Sequence, residues 1–152
     1  MTEQPSADLK KRYLAVNLIG LAMIGSVFLY ALVVEVLRRL LAPFAGFGAL
    51  SPEATGLLTY LFFFLTLGIY FVIRVIRQKL PARSPQLLPQ IAILTFALCE
   101  AVAIFGFVLF LLSGNALDFY LFFAISLFMF YIFYPKYESW EKILAAHTKD
   151  DL

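Results

Sequence analysis

From Tyr13 to Val34 the chain runs 22 residues without a charged side chain (YLAVNLIGLAMIGSVFLYALVV). At 1.5 Å per residue a helix of that length covers about 33 Å, enough to cross a hydrocarbon core of about 30 Å. Lipid offers no water to backbone N–H and C=O groups, so a segment at that depth closes its hydrogen bonds within itself as a helix. The same reasoning applies further on. Ala54 to Ile73 is uncharged, Ser84 to Leu117 carries one charge, and Phe119 to Tyr134 carries none. The expected fold is all-α, an integral membrane four-helix bundle with spans of about 13–37, 54–78, 86–112 and 118–134 in a single membrane domain, 1–152. Composition agrees, since 62% hydrophobic against 14% charged residues lies far from the soluble mix. With 17 Phe and 8 Tyr the chain has more rings than a soluble unit of this size buries, so much of the aromatic surface is expected to face lipid.

The punctuation between the spans is readable. Residues 1–12 form a polar tail closed by Lys10, Lys11 and Arg12. Ser51-Pro52-Glu53 supplies an N-cap, a proline at the first helical position and an acid in the first turn of span two. Ser84-Pro85-Gln86 repeats that logic before span three, Pro89 falls in its first turn, and Ser113-Gly114-Asn115 stops it. Span four, FYLFFAISLFMFYIFY, is expected to turn its rings to lipid, because no ligand-type residue stands among them. After Pro135, residues 136–152 read as an interfacial helix and tail anchored at the headgroups by Tyr137 and Trp140. Ala22 and Ser26 in span one have the four-residue spacing that lets helices approach closely.

Lys and Arg set the orientation. Lys10, Lys11 and Arg12, then Arg74, Arg77, Lys79 and Arg83, then Lys136, Lys142 and Lys149 fall on one side of the membrane, against Arg38 and Arg39 on the other. By the positive-inside rule both termini are cytoplasmic, and the expected location is a bacterial inner (cytoplasmic) membrane. A net charge of +2, with no cluster of bases among exposed aromatics, argues against a nucleic-acid partner. The partners expected are the lipid bilayer and either further copies of this chain or a larger membrane complex. One Cys and one His exclude an internal disulfide, an iron–sulfur centre held by one chain and a bis-His haem, so no cofactor or metal is expected. Glu100, Cys99 and the tail residue His147 form no set of nucleophile, base and orienting group, so no enzyme is expected.

Glu100 is the charge inside span three. A charged side chain at bilayer depth costs about 2.5–3.5 kcal/mol on insertion scales and tends to mark function. Counted from Gln86 the carboxyl lies about 21 Å along the helix, too deep to snorkel. No Lys, Arg or His sits at comparable depth in any span. Two states are open, a protonated acid or a carboxylate on a bound cation, with Thr95, Thr66 and Ser126 as candidate partners. Ala97, Ala101, Ala103 and Gly106 around it permit close approach of a neighbouring helix. Glu35 can reach Arg38 and Arg39 at i+3 and i+4 as an interfacial ion pair; the sharper alternative puts it on an entry path toward Glu100.

Residues 82–112 resemble the proteolipid ring subunit, subunit c, of rotary ATP synthases and ATPases. Ala82-Arg83-Ser84-Pro85-Gln86 is similar to that family's polar cytoplasmic loop, and AVAIFGFVL after Glu100 is similar to the sequence after its ion-binding carboxylate. The resemblance implies that Glu100 carries an ion and that Arg83 and Pro85 belong to a loop contacting a stalk. Spans one and four have no counterpart in it. The function expected is a small membrane subunit with a proton- or sodium-binding carboxyl, in an oligomer or a larger ion-translocating complex. The alternative is a structural accessory or assembly subunit that binds no ion. The orientation is checked with single cysteines in a Cys99→Ser background: Lys79→Cys is labelled by an impermeant thiol reagent only from the cytoplasmic side, and Glu53→Cys only from the opposite side.

Overall fold

The computed structural model describes residues 4–48, 50–79 and 85–150, without the side chains of 4–7, 85 and 147–150. The secondary structure of the described residues is all helical, in the order α1 (Gln4–Leu40), α2 (Pro52–Lys79), α3 (Leu88–Ser113), α4 (Ala116–Phe133) and α5 (Tyr137–Asp150), with a 3-10 turn at Pro85–Leu87. Four of them, α1 to α4, are long and apolar enough to cross a membrane, and the protein is a membrane protein with a four-helix bundle. α1 begins well before Tyr13 because nothing after Pro5 interrupts the helix. Arg83 and Ser84 lie outside the described residues, and α3 starts at Leu88 with no side-chain cap, after the 3-10 turn and with Pro89 in its first turn. Ser51 does cap α2, its Oγ accepting from the Ala54 N–H at 3.3 Å.

α3 is the centre. It packs against α4, α1 and α2, whereas α1 and α2, neighbours in sequence, have little contact with one another among the described residues. Close approach decides this. A Cβ on Gly20 of α1 would stand 2.7 Å from the Phe96 ring of α3, and one on Gly106 of α3 would stand 2.7 Å from Phe122 Cβ of α4. α1 turns Val16, Gly20, Val27 and Val34 inward at helical spacing, while Ala22 of the small pair expected to pack is exposed.

Two expectations about rings are corrected. In α4 the buried residues are Phe119, Phe122, Ser126, Met129, Phe130 and Phe133, three and four apart, so the phenylalanines on that stripe fill the bundle and Phe128 and Tyr131 face outward. With no hydrophobic force between helices in lipid, rings are held inside by dispersion and shape, which sequence polarity does not display. Trp140 is also inside, 4% exposed, with its ring edge-on to Tyr13 at 5.5 Å. α5 therefore folds back on the ends of α1 and α3 instead of resting on headgroups alone, helped by the Tyr13 hydroxyl, which donates to the Pro135 carbonyl at 3.1 Å.

The opposite end is closed backbone to backbone. Helix α3 ends on Gly114 at φ 74°, whose N–H donates to the Phe110 carbonyl at 2.8 Å. Two further carbonyls of its last turn, Leu111 and Leu112, accept from the N–H groups of Phe47 and Gly48 at 2.7 and 3.1 Å. The connection from α1 to α2 thus satisfies groups that a helix end leaves bare. Gly46, at φ 83°, and Gly114 let the two backbones meet, since a Cβ on either would drive into the other segment's backbone. Gly114→Ala and Gly46→Ala are each expected to lower stability in detergent by about 1–3 kcal/mol, read as a drop in melting temperature. Gly68→Ala, where a Cβ meets nothing within 4 Å, leaves it unchanged or raises it.

Candidate functional site

Glu100 lies 12 residues from the start of α3 and 13 from its end, near mid-span. It faces the α1 seam half-buried. Its Oε1 accepts from two hydroxyls of α1, Ser26 Oγ at short range and Tyr30 OH at 2.9 Å. Ser26 and Tyr30 stand one helical turn apart and so converge on one point. The Tyr30 ring is held by stacking on Phe107 of α3 at 5.4 Å.

Ser26 Oγ has a second neighbour, the Met23 carbonyl oxygen at 2.7 Å. A hydroxyl has one proton to give and lone pairs to receive with. Aimed at Glu100, that proton serves an ionised carboxylate. Turned to the Met23 carbonyl, it frees the oxygen to accept from a protonated acid. The Ser26 hydroxyl can thus pair with Oε1 of Glu100 in either state. Among the described residues no Lys, Arg or His comes within ion-pair distance of Glu100; the ion pairs there are those of Glu35 with Arg38, 2.8 Å, and Arg39, 3.8 Å.

The other polar residues expected near the carboxyl are placed elsewhere. Thr95 and Thr66 donate to carbonyls of their own helices, Ile91 at 2.7 Å and Phe62 at 2.8 Å. Ser126 of α4 donates to the carbonyl of Cys99, the residue before Glu100, at 2.7 Å. Among the small residues Ala103 and Gly106 are buried, Gly106 against α4; Ala101 is half-buried and Ala97 exposed. Leu94, Ala97 and Ile104 are exposed on α3 with half-buried Ala101 among them, and this face lies open beside Glu100. Glu35 joins its arginines and accepts from Tyr120 of α4, on the other shoulder of α1 from Ser26 and Tyr30. No described hydrogen bond links it to Glu100. Pro85 belongs to the 3-10 turn, and Arg83 is outside the described residues. No cluster of three metal-ligand side chains occurs among the described residues.

Sequence reasoning missed Ser26 and Tyr30 as partners, although a signal for them exists. α1 and α3 run in the same direction across the bundle. Ser26 is 13 residues beyond Tyr13, and Glu100 is 12 beyond Leu88, so the polar groups match in depth. Asn17 was missed as well; its side-chain carbonyl accepts from the Tyr134 hydroxyl near the other end of α4. No family model matches the chain, and no curated protein or solved structure matches it.

Interhelical hydrogen bonds in membrane proteins average about 0.6 kcal/mol and reach about 1.7. Tyr30→Phe and Ser26→Ala should each destabilise the bundle by an amount in that range. In a double-mutant cycle read by unfolding in detergent, Tyr30→Phe should couple to Glu100→Ala and show no coupling to Thr66→Val.

Proposed function

We propose that this protein is a small membrane subunit in which Glu100 reversibly binds a proton, with sodium as the alternative ion, within an oligomer or a larger ion-translocating assembly. The observation that carries the reading is the Ser26 hydroxyl, set between the Glu100 carboxyl and the Met23 carbonyl. It provides for gain and loss of a proton without leaving a buried polar group unpaired, which otherwise costs about 1–3 kcal/mol. The lack of a partner cation among the described residues supports the same reading, for a fixed Lys or Arg would hold the carboxylate ionised and end the exchange.

The role within an assembly rests on the open face of α3. The helix that organises the bundle leaves Leu94, Ala97 and Ile104 exposed, with half-buried Ala101 among them, beside the half-buried acid. Two small residues one turn apart admit another helix at close range. A helix docking there would seal Glu100 from lipid and, on leaving, expose it. The resemblance of residues 82–112 to proteolipid ring subunits supports the same use of the carboxyl. In the competing reading Glu100 only ties α1 to α3 in an accessory subunit.

A hydrophobic carbodiimide, which attacks protonated carboxyl groups, separates the two. Labelling at Glu100 should occur in native membranes, decline as pH rises, and vanish in Glu100→Gln, whose amide oxygen still accepts from Ser26 and Tyr30 and leaves stability intact. Protection by sodium at constant pH would identify sodium as the ion. An intact protein that is unlabelled at every pH would leave the tie between helices as the role of Glu100.

A further inference from the structure

The basic end of the bundle contains a second built site, unconnected with Glu100. The end of α2, the start of α3, the end of α4 and the first turns of α5 enclose a cavity of about 70 Å³. Its walls include Arg77, Thr95, Phe133, Lys136, Ser139 and Trp140. Arg77 is half-buried, donates to the Phe133 carbonyl and holds its guanidinium 5.5 Å from the Phe133 ring centroid. Among the described residues no carboxylate answers it, since their ion pairs belong to Glu35. A half-buried guanidinium whose described partners are a carbonyl and a ring has unused donors. Lys136 brings a second positive charge to the same cavity, and the Ser139 hydroxyl has no described partner.

Lys136 also borders a second hollow. An apolar groove of about 450 Å³ runs along the outside of α1 and α4, lined by Ile24, Leu127, Phe130, Tyr131 and Tyr134 and ending at Lys136. A cationic cavity at headgroup level joined through one lysine to an apolar groove at acyl-chain level has the two-part form of an amphiphilic anion. Basic pockets between membrane helices on the cytoplasmic side take anionic headgroups in this way.

We infer that Arg77, Lys136 and Ser139 bind the phosphate of an anionic phospholipid whose acyl chain lies in the groove of Ile24, Leu127 and Tyr131. The bound lipid supplies the negative charge that Arg77 lacks and ties α2 to the junction of α4 and α5. The test uses the full chain purified in a mild neutral detergent, with the melting temperature followed as lipid is added. Phosphatidylglycerol raises it by several degrees, phosphatidylcholine does not, and native mass spectrometry shows one phosphatidylglycerol retained. Lys136→Gln, an exposed position that leaves folding untouched, weakens the half-maximal lipid concentration roughly fivefold, the weight of one basic residue near a charged headgroup. Arg77→Gln weakens it at least as much, and Lys142→Gln, exposed at the same end but outside the cavity, leaves it unchanged. Equal stabilisation by both lipids, or loss of the effect in Lys142→Gln to the same extent as in Lys136→Gln, would overturn the site. A full shift from inorganic phosphate alone would overturn the lipid as its occupant.

Discussion

A helix surrounded by lipid gains nothing by hiding a leucine from its solvent, so the fit of surfaces and the hydrogen bonds between helices decide which helices touch. The arrangement around α3 follows from that. α1 is admitted where Gly20 receives the Phe96 ring, and α4 where Gly106 receives Phe122. α2 offers no such close approach. Gly56 and Gly68 meet nothing within 4 Å, and its buried residues are Thr66 and Ile73. It leans on α3 through the stacked rings of Phe62 and Phe105, 4.8 Å apart, and is pinned near its ends by Thr59 to Asp118 and Arg77 to the Phe133 carbonyl. The helix with the least intimate packing is also the one whose last turns line the basic cavity.

The parts of the fold that were legible in the sequence are those governed by one segment at a time. Length and charge give the four spans, and Ser51, Gly114 and Asn115 mark helix ends because each satisfies backbone groups within its own neighbourhood. What escaped were relations between segments. Phe122 and Phe128 look alike in sequence, yet one is fully buried and the other 62% exposed, and in an apolar solvent no polarity contrast separates the two faces of α4. Trp140 was misread for the related reason that an amphipathic aromatic suits a headgroup layer and a protein crevice equally. Glu100 stood out because a charge in hydrocarbon is conspicuous. Its partners did not, because a serine and a tyrosine in a membrane helix are unremarkable until their depth is matched to the acid's.

The three hydroxyls expected near Glu100 show how local competition decides such matters. Thr95 and Thr66 can each return to a carbonyl four residues back, and both do. Ser126 is spent on the Cys99 carbonyl across the α3–α4 seam. Ser26 also has a carbonyl of its own helix within reach, but it keeps Glu100 as a second neighbour because the Gly20 notch draws α1 against α3. The placement of this hydroxyl between two acceptors is thus a product of helix packing, and a glycine nearly two turns away helps to set it.

Packing alone asks for an acceptor oxygen at position 100, not for an acid. A glutamine there would present its amide oxygen to the same Ser26 and Tyr30 hydroxyls and would carry no charge to desolvate. A carboxyl group brings the added burden that, when ionised, it carries an uncompensated charge at mid-membrane. What it offers in return, and the amide does not, is a proton that comes and goes. The surroundings match that difference: among the described residues no fixed cation stands by to trap the ionised form, the Ser26 hydroxyl lies within reach of both the carboxyl and the Met23 carbonyl, and a largely open helix face lies beside the group. A simple tie between two helices requires none of these, and together they are what carries the proposal that the carboxyl works by exchanging its proton.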